Sequence, residues 1–348
     1  MTSKKVRVAV NGYGVIGKRL ADAVLAQPDM NLVGVADVAT DWRPRMAARR
    51  GIPLFAGNAE CASELRSAGF DLAGTTDDMI GRADVVLDCT PKKVAAQNVA
   101  LYRQRGIRFI VQGGETHAVT GHSFAAESNY ATALGRMETR VVSCNTTSIV
   151  RTLSALKRAG LLAKARGTLL RRATDPWESH EGGIMNTLLP EPDIPSHQGP
   201  DAQTVDPDLD VVTMAVKVPQ TLAHLHYWVV ELTRAASKDE VLAAFRTSTR
   251  ILPIRYADGL PSLNAVKEMM ADSGRPRADL YEVALWEDML TVQGNELFYA
   301  YMVDNQAIVI PETIDAIRAI TRTEVDAATS IARTNAAVGI GSPFLRTA

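Results

Sequence analysis

Three observations predict an α/β protein of two domains. From the N-terminus to Ser143 the chain alternates short β-branched runs with helix-length amphipathic segments, which marks a parallel α/β domain. Beyond Cys144 the runs lengthen and alternate polar with apolar, as an antiparallel or mixed sheet requires. A chain of 348 residues also exceeds what one hydrophobic core usually organises.

In chain order, strands are expected at Val6 to Val10, Leu32 to Ala36, Val85 to Asp88, Phe109 to Gln112 and Arg140 to Ser143. Between the first two, Val15 to Gln27 sets Ile16, Leu20, Val24 and Leu25 on one helical stripe, and Pro28 ends it. A helix is expected near Ser148, followed by strands at Leu209 to Val218, His224 to Leu232 and Glu296 to Val303. Asp175 to Asp208, rich in Pro, Gly, His and Asp, reads as a long functional loop. Pro311 with Glu312 opens a helical tail, Pro suiting a first turn and the acid its dipole. The expected division is residues 1–143 with 305–348 as a dinucleotide-binding domain and 144–304 as a catalytic domain.

Charge and composition exclude several classes. Lys plus Arg number 38 against 39 Asp plus Glu, so no nucleic-acid partner is expected. No apolar run approaches the length of a membrane-spanning helix, and none near the start makes a signal core, which predicts no membrane association and a cytoplasmic location. Cys61, Cys89 and Cys144 are widely separated and odd in number, which makes neither a metal-ligand spacing nor a disulfide framework. No metal is expected.

Gly12-Tyr13-Gly14-Val15-Ile16-Gly17 follows a strand and opens a helix, the context in which GxGxxG binds a dinucleotide. Asp37, at the end of the second strand, stands where a carboxylate binds ribose hydroxyls and repels a 2′-phosphate. NAD is therefore expected, with NADP possible through Arg43 and Arg45. Cys144 falls at a strand-to-helix turn, a place that can lower a thiol pKa and make a nucleophile. His224 and His226 lie two apart on one strand face, where an apolar core does not usually place imidazoles, and one of them can serve as a base. Arg171, Arg172, His197 and Gln198 can gather donors around a phosphate, although adjacent strand residues point to opposite faces, so one arginine is expected to enter.

These stretches resemble the archaeal-type (type II) glyceraldehyde-3-phosphate dehydrogenases. The matching segments are Val10-Asn-Gly-Tyr-Gly-Val-Ile-Gly-Lys-Arg, Gln112-Gly-Gly-Glu, Arg140-Val-Val-Ser-Cys-Asn-Thr-Thr, Arg171-Arg172, Pro195-Ser-His, Thr221-Leu-Ala-His-Leu-His and Ile310-Pro-Glu-Thr-Ile-Asp-Ala-Ile-Arg. The resemblance implies a Rossmann domain completed by the C-terminal helix, a catalytic domain and a homotetramer. It implies Cys144 as nucleophile and His224 as its base. It further implies Thr90, Pro91, Gln112, Gly113 and Asn305 at the cofactor, and Ser143, Asn145, Thr146, Arg171, Arg172, His197 and Gln198 at a phosphorylated aldehyde and inorganic phosphate. The implied reaction is phosphorylating oxidation of glyceraldehyde 3-phosphate through a cysteine thioester.

Two departures stand out. Gln198 occupies a position where the family commonly has a second histidine, and Asp37 one where it commonly has lysine, so that the resemblance alone points to NADP and the carboxylate to NAD. A different phosphorylated or phosphonylated aldehyde stays open as substrate. So does a cofactor-bound redox sensor in which Cys144 is oxidised rather than acylated.

Overall fold

The computed structural model describes residues 5–175 and 188–341. It divides into two compact units, the first comprising residues 1–143 and 310–338 and the second residues 144–309 with the tail from 339 onward.

The first unit is built on eight parallel strands: β1 (Val6–Asn11), β2 (Met30–Asp37), β3 (Leu54–Ala56), β4 (Gly74–Thr75), β5 (Val85–Asp88), β6 (Arg108–Val111), β7 (Ser123–Phe124) and β8 (Glu138–Val141). Their order is β4-β3-β2-β1-β5-β6-β8-β7. The sheet grows in opposite directions from β1, which opens a crevice at the carboxyl ends of β1 and β5, the usual ligand position in such sheets. Burial on both faces explains the unbroken apolar runs: Val8, Ala9, Val10, Val85, Val86 and Leu87 are wholly inaccessible. The expected strands recur within two residues at their ends, and the α/β expectation holds. The additional β3, β4 and β7 have two or three residues each, too few to show a period.

The helix Val309–Thr321 belongs to this unit from Ile310 on, whereas residues 305–309, expected in the same domain, group with the second unit. Its Arg318 is fully buried and donates to both Asp29 oxygens at 2.8 and 2.9 Å and to Gln27 Oε1 at 2.7 Å. Burial alone would push the Asp29 carboxyl up, but the hydrogen bonds and charge of Arg318 hold it below its usual value.

The second unit is a mixed sheet: β9 (Leu162–Arg172), β10 (Leu189–Pro190), β11 (Val211–Val218), β12 (His224–Leu232), β13 (Ile251–Ile254), β14 (Val283–Trp286), β15 (Thr291–Gln293) and β16 (Glu296–Val303). The order is β10-β11-β9-β12-β16-β14-β13, with β15 on β16. β9 pairs parallel with β11 and antiparallel with β12, so the sheet is mixed as expected. Along β12, His224, His226, Trp228, Val230 and Leu232 face inward while Tyr227 and Val229 face out. The region expected as a bare loop contains β10 and the helix Gln198–Gln203, and residues 176–187 of it lie outside the described residues. Among the described residues, no helix is long and apolar enough to cross a membrane, and no cluster of three His, Cys, Asp or Glu could hold a metal ion.

Candidate active site

In the first unit the glycine loop follows β1 directly. Gly12 has φ 93°, and a Cβ there would lie 2.9 Å from the Cys89 carbonyl; a Cβ on Gly17 would lie 1.8 Å from the Gly12 oxygen. Both positions therefore require glycine, one for conformation and one for close packing. Gly14 precedes the helix Val15–Ala26, which has no side-chain cap and no acidic residue in its first turn, and nothing lies within 4 Å of where a Gly14 Cβ would be. The first-turn N–H groups, those of Val15 and Ile16 among them, have no partner within the helix, and with the positive end of the helix dipole they fit a diphosphate.

Asp37 ends β2, as expected, and its carboxylate accepts from the Tyr13 N–H at 2.8 Å and from the Val38 and Ala39 N–H groups at 2.7 and 2.8 Å. It thus ties the glycine loop to β2 and keeps acceptor capacity to spare, since a carboxylate offers about four lone-pair sites. The two arginines close enough in sequence to draw a 2′-phosphate are engaged: Arg43 is bidentate with Asp41, and Arg45 donates to the Ala68 carbonyl and stacks 4.5 Å over Phe70.

Thr90 is fixed by Asp88, which accepts from its N–H at 3.0 Å and its hydroxyl at 2.5 Å. The other Asp88 oxygen accepts from Tyr102, which in turn accepts from Asn11. Pro91 begins the turn whose carbonyl accepts from the Val94 N–H. Gln112 carries a buried Nε2 with no partner among the described residues, an unmet donor of the kind a ligand satisfies. Gly113 is required by packing, since a Cβ would meet the Ser143 nitrogen at 2.3 Å. Glu115 closes the Gly-Gly-Glu motif by accepting from the Lys93 N–H at 2.6 Å, which holds a residue at φ 74° just before the helix Val94–Gln104. Asp88 and Tyr102 were not singled out from the sequence, and the loop-holding roles of Asn11 and Glu115, which lie inside quoted segments, were not read there either. Only the Asp of the strand end before Thr90 offered a sequence signal.

In the second unit the helix Cys144–Arg158 begins at Cys144 itself, earlier than the expected start near Ser148. Cys144 Sγ lies 3.4 Å from His224 Nε2, so the structure brings together two residues whose numbers differ by 80. Burial pushes the thiol above its ordinary value, and the charges of Arg172 and Arg171 and the Asn145 N–H pull it back only in part. The expectation of a thiol acidified by its helix start is thereby corrected: desolvation is the larger influence.

His224 is buried and its pKa is driven well down, first by burial, then by His226, Arg172 and Arg171, so the ring is neutral. Its Nδ1 accepts from the Arg172 backbone N–H at 3.0 Å. His226, pushed down to about 3 by burial and the Arg171 charge, bridges Asn145 Oδ1 at 2.9 Å and the Tyr301 hydroxyl at 3.0 Å. An amide oxygen only accepts, so the His226 proton sits on Nε2, toward Asn145.

The expected phosphate donors are partly rearranged. Arg171 and His197 converge on one carboxylate, Glu191, whereas Arg172 pairs with Asp175 at 3.1 Å. Arg171, rather than Arg172, is thus grouped with His197, and the Nε of each arginine has no partner among the described residues. Gln198 is fully buried, and neither of its amide atoms has a partner among the described residues. Asn145 and Thr146 are buried, with Asn145 Oδ1 bonded to His226 and the Thr146 hydroxyl donating to Asp201 at 2.7 Å. Ser143 is the last residue of the first unit before the chain enters the second. Asn305 lies in the second unit and spends its amide on the protein, accepting from the Ala223 N–H at 2.9 Å and donating to Asp175 at 3.2 Å.

Comparison with known proteins bears on this geometry. Residues 143–272 match the glyceraldehyde 3-phosphate dehydrogenase C-terminal domain, and residues 6–118 match the dihydrodipicolinate reductase N-terminus. The chain is 45% identical over 334 residues to a glyceraldehyde-3-phosphate dehydrogenase of Methanobrevibacter smithii, covering 96% of this chain and 99% of that one. It belongs to the archaeal-type glyceraldehyde-3-phosphate dehydrogenase family. Other family members include proteins of that name from Metallosphaera sedula, 46% identical over 341 residues (98% of this chain and 99% of that one), and Archaeoglobus fulgidus, 44% over 342 residues with the same coverage. Membership makes the chain a dehydrogenase with a nicotinamide cofactor.

Proposed function

We propose that the chain oxidises glyceraldehyde 3-phosphate to its acyl phosphate, using Cys144 as nucleophile, His224 as its proton partner, and NAD. The Cys144–His224 contact of 3.4 Å, flanked by two arginines, is the observation that carries this reading. The Cys144 sulfur adds to the aldehyde carbon, the carbonyl pair moving to oxygen, and the hemithioacetal then becomes a thioester. A bound nicotinamide dinucleotide supplies the two-electron acceptor for the hydride. Inorganic phosphate attacks the thioester carbonyl, the C–S bond breaks, and Cys144 leaves as thiolate. Arg171, Arg172 and His197 supply the charge-assisted donors for substrate phosphoryl and attacking phosphate, which exchange with Glu191 and Asp175. In the first unit, the Gly12–Gly17 loop, Asp37, Thr90, Pro91 and Gln112 hold the cofactor.

We infer a small-molecule role within a homotetramer in the cytoplasm. The same thiol chemistry on another phosphorylated aldehyde is favoured by one observation, the uncharged Gln198 buried without a partner among the described residues. Steady-state rates with glyceraldehyde 3-phosphate, with and without phosphate and with both nicotinamide cofactors, test the proposal. Phosphate-dependent NADH formation is expected, and fast turnover that ignores phosphate overturns the phosphorylating step.

A further inference from the structure

The inner face of the second sheet ends in a row of basic side chains, and one of them has no assigned task. Strands β9 and β11 run parallel and in register from Val211 opposite Ala165 to Val218 opposite Arg172, so Lys217 lies directly beside Arg171. Strand alternation fixes the face: Ala165 and Leu169 of β9 and Thr213 and Ala215 of β11 are buried, and Arg171 and Lys217 continue those two rows toward the end of the sheet. His224 falls in the same cross-strand row, one place beyond the Leu225–Leu170 pair of β12 and β9. The loop that carries His197 is pinned to this face as well. Its Ser196 N–H donates to the Thr213 carbonyl at 2.7 Å, and its Gly199 N–H donates to the Thr213 hydroxyl at 3.0 Å.

The three basic groups differ in what they hold. Glu191 takes both Arg171 and His197, whereas Lys217 is partly buried and has no hydrogen bond or ion pair among the described residues. Neighbouring strands lie about 4.8 Å apart, so the lysine stem rises beside an arginine of the same sign with no carboxylate of its own. Side-by-side like charges oppose each other. The single charge of Glu191 does not balance Arg171 and Lys217 together, and a tetrahedral dianion, which offers several acceptor oxygens, would.

We infer that Lys217 binds the phosphoryl group of the aldehyde substrate, together with Arg171 and His197. The inference rests on the proposed reaction and adds a residue to it. Position in the row assigns Lys217 to the substrate phosphoryl rather than to the attacking phosphate. Its strand lies two places from β12, about 10 Å from His224 at the level of the backbone, and His224 touches the sulfur that holds the reacting carbon. Inorganic phosphate has to reach that carbon itself, whereas the phosphoryl group of glyceraldehyde 3-phosphate sits at the far end of the molecule from it. Lys217 also has no carboxylate to release. An incoming phosphoryl group meets this charge first and then displaces Glu191 from Arg171 and His197.

Lys217→Met keeps the apolar stem and removes the charge, and Lys217→Arg restores the charge. The methionine variant should raise KM for glyceraldehyde 3-phosphate at least about tenfold with kcat within about threefold, the pattern of a lost contact made equally in ground and transition states. KM for inorganic phosphate, and kcat/KM for unphosphorylated glyceraldehyde, should move less than about threefold, and the arginine variant should recover KM to within about threefold. A KM for glyceraldehyde 3-phosphate that does not change, an equal loss with glyceraldehyde, or a loss confined to inorganic phosphate overturns the inference. Calorimetric titration with glycerol 3-phosphate, which carries the phosphoryl group and no aldehyde, separates this from the proposed function. The wild type should bind it at least about tenfold more tightly than Lys217→Met. If the wild type binds it so but does not turn over glyceraldehyde 3-phosphate, the proposed function fails and Lys217 keeps its role. Binding that is equal in the two proteins, or absent from the wild type, overturns the inference whatever the turnover. Since Lys217→Met breaks no ion pair among the described residues, its urea midpoint in phosphate-free buffer should not fall, and a lowered midpoint would assign Lys217 to the fold instead.

Discussion

Three histidines are neutral and buried in the native protein, so acid should destabilise it well before its carboxylates titrate. Burial and the Arg171 charge push His226 down to about 3; burial, Arg136 and His117 push His122 down to about 4; His224 is driven well down by burial and its cationic neighbours. Each regains a pKa of about 6.5 on unfolding, so below that value the unfolded chain binds more protons and stability falls with pH. The sign is fixed: stability is whole above about pH 6.5 and is lost progressively from there down to the folded values. For one such histidine, lowering pH from about 7.5 to about 5.5 removes about 1.4 kcal/mol. His226 should therefore cost the second unit about 1.4 kcal/mol, to which His224 adds a loss of the same sign, and His122 should cost the first unit about 1.4 kcal/mol.

Urea denaturation at the two pH values measures this, with fluorescence of the buried Trp228 and Trp286 reporting the second unit and far-UV circular dichroism the whole chain. His226→Gln can keep the bond to Asn145 without titrating, so its second unit should lose about 1.4 kcal/mol less over the same interval. A midpoint that does not move between the two pH values, or a glutamine variant with the wild-type pH dependence, would refute the assignment of neutral, buried histidines.

Cys144→Ser should reduce turnover by at least about 10³-fold while NAD binding, measured by fluorescence titration, is unchanged. The carboxylate of Asp37, with Arg43 and Arg45 engaged elsewhere, should give NAD at least about a tenfold advantage over NADP in kcat/KM, and equal efficiencies would refute this. Arg318→Met removes the paired bonds to Asp29 and the charge beside the wholly buried Asp315, which keeps its bonds from Ser330 and Thr334, and should cost the first unit about 3 kcal/mol in urea denaturation. With glyceraldehyde 3-phosphate as the true substrate, Gln198→His should leave its KM unchanged or lower it. A raised KM with intact turnover would mark Gln198 as set for another aldehyde.

Legibility in the sequence tracks how each feature is encoded. The Gly12–Gly17 loop and the β1 and β5 runs were readable because a local period and a glycine spacing carry their physics within a short window of chain. His224 and His226 were readable as a pair because strand alternation puts them on one face, and β12 spans the expected residues. What joins distant segments was not readable. Glu191 takes Arg171 and His197 together, yet nothing in its neighbourhood announces a partner on another strand. Arg172 is the sharpest case. Its side chain drew attention as a phosphate ligand, but its main-chain N–H makes the contact with His224. Every non-proline residue carries that same donor, so no residue type could have marked it, and only the end of the β9–β12 ladder and the left-handed Ala223 leave it free to act. It follows that Arg172→Ala should remove the guanidinium charge while leaving the Nδ1 bond in place. The arginine's electrostatic contribution to the thiol and its backbone bond to His224 are thus separable in one residue.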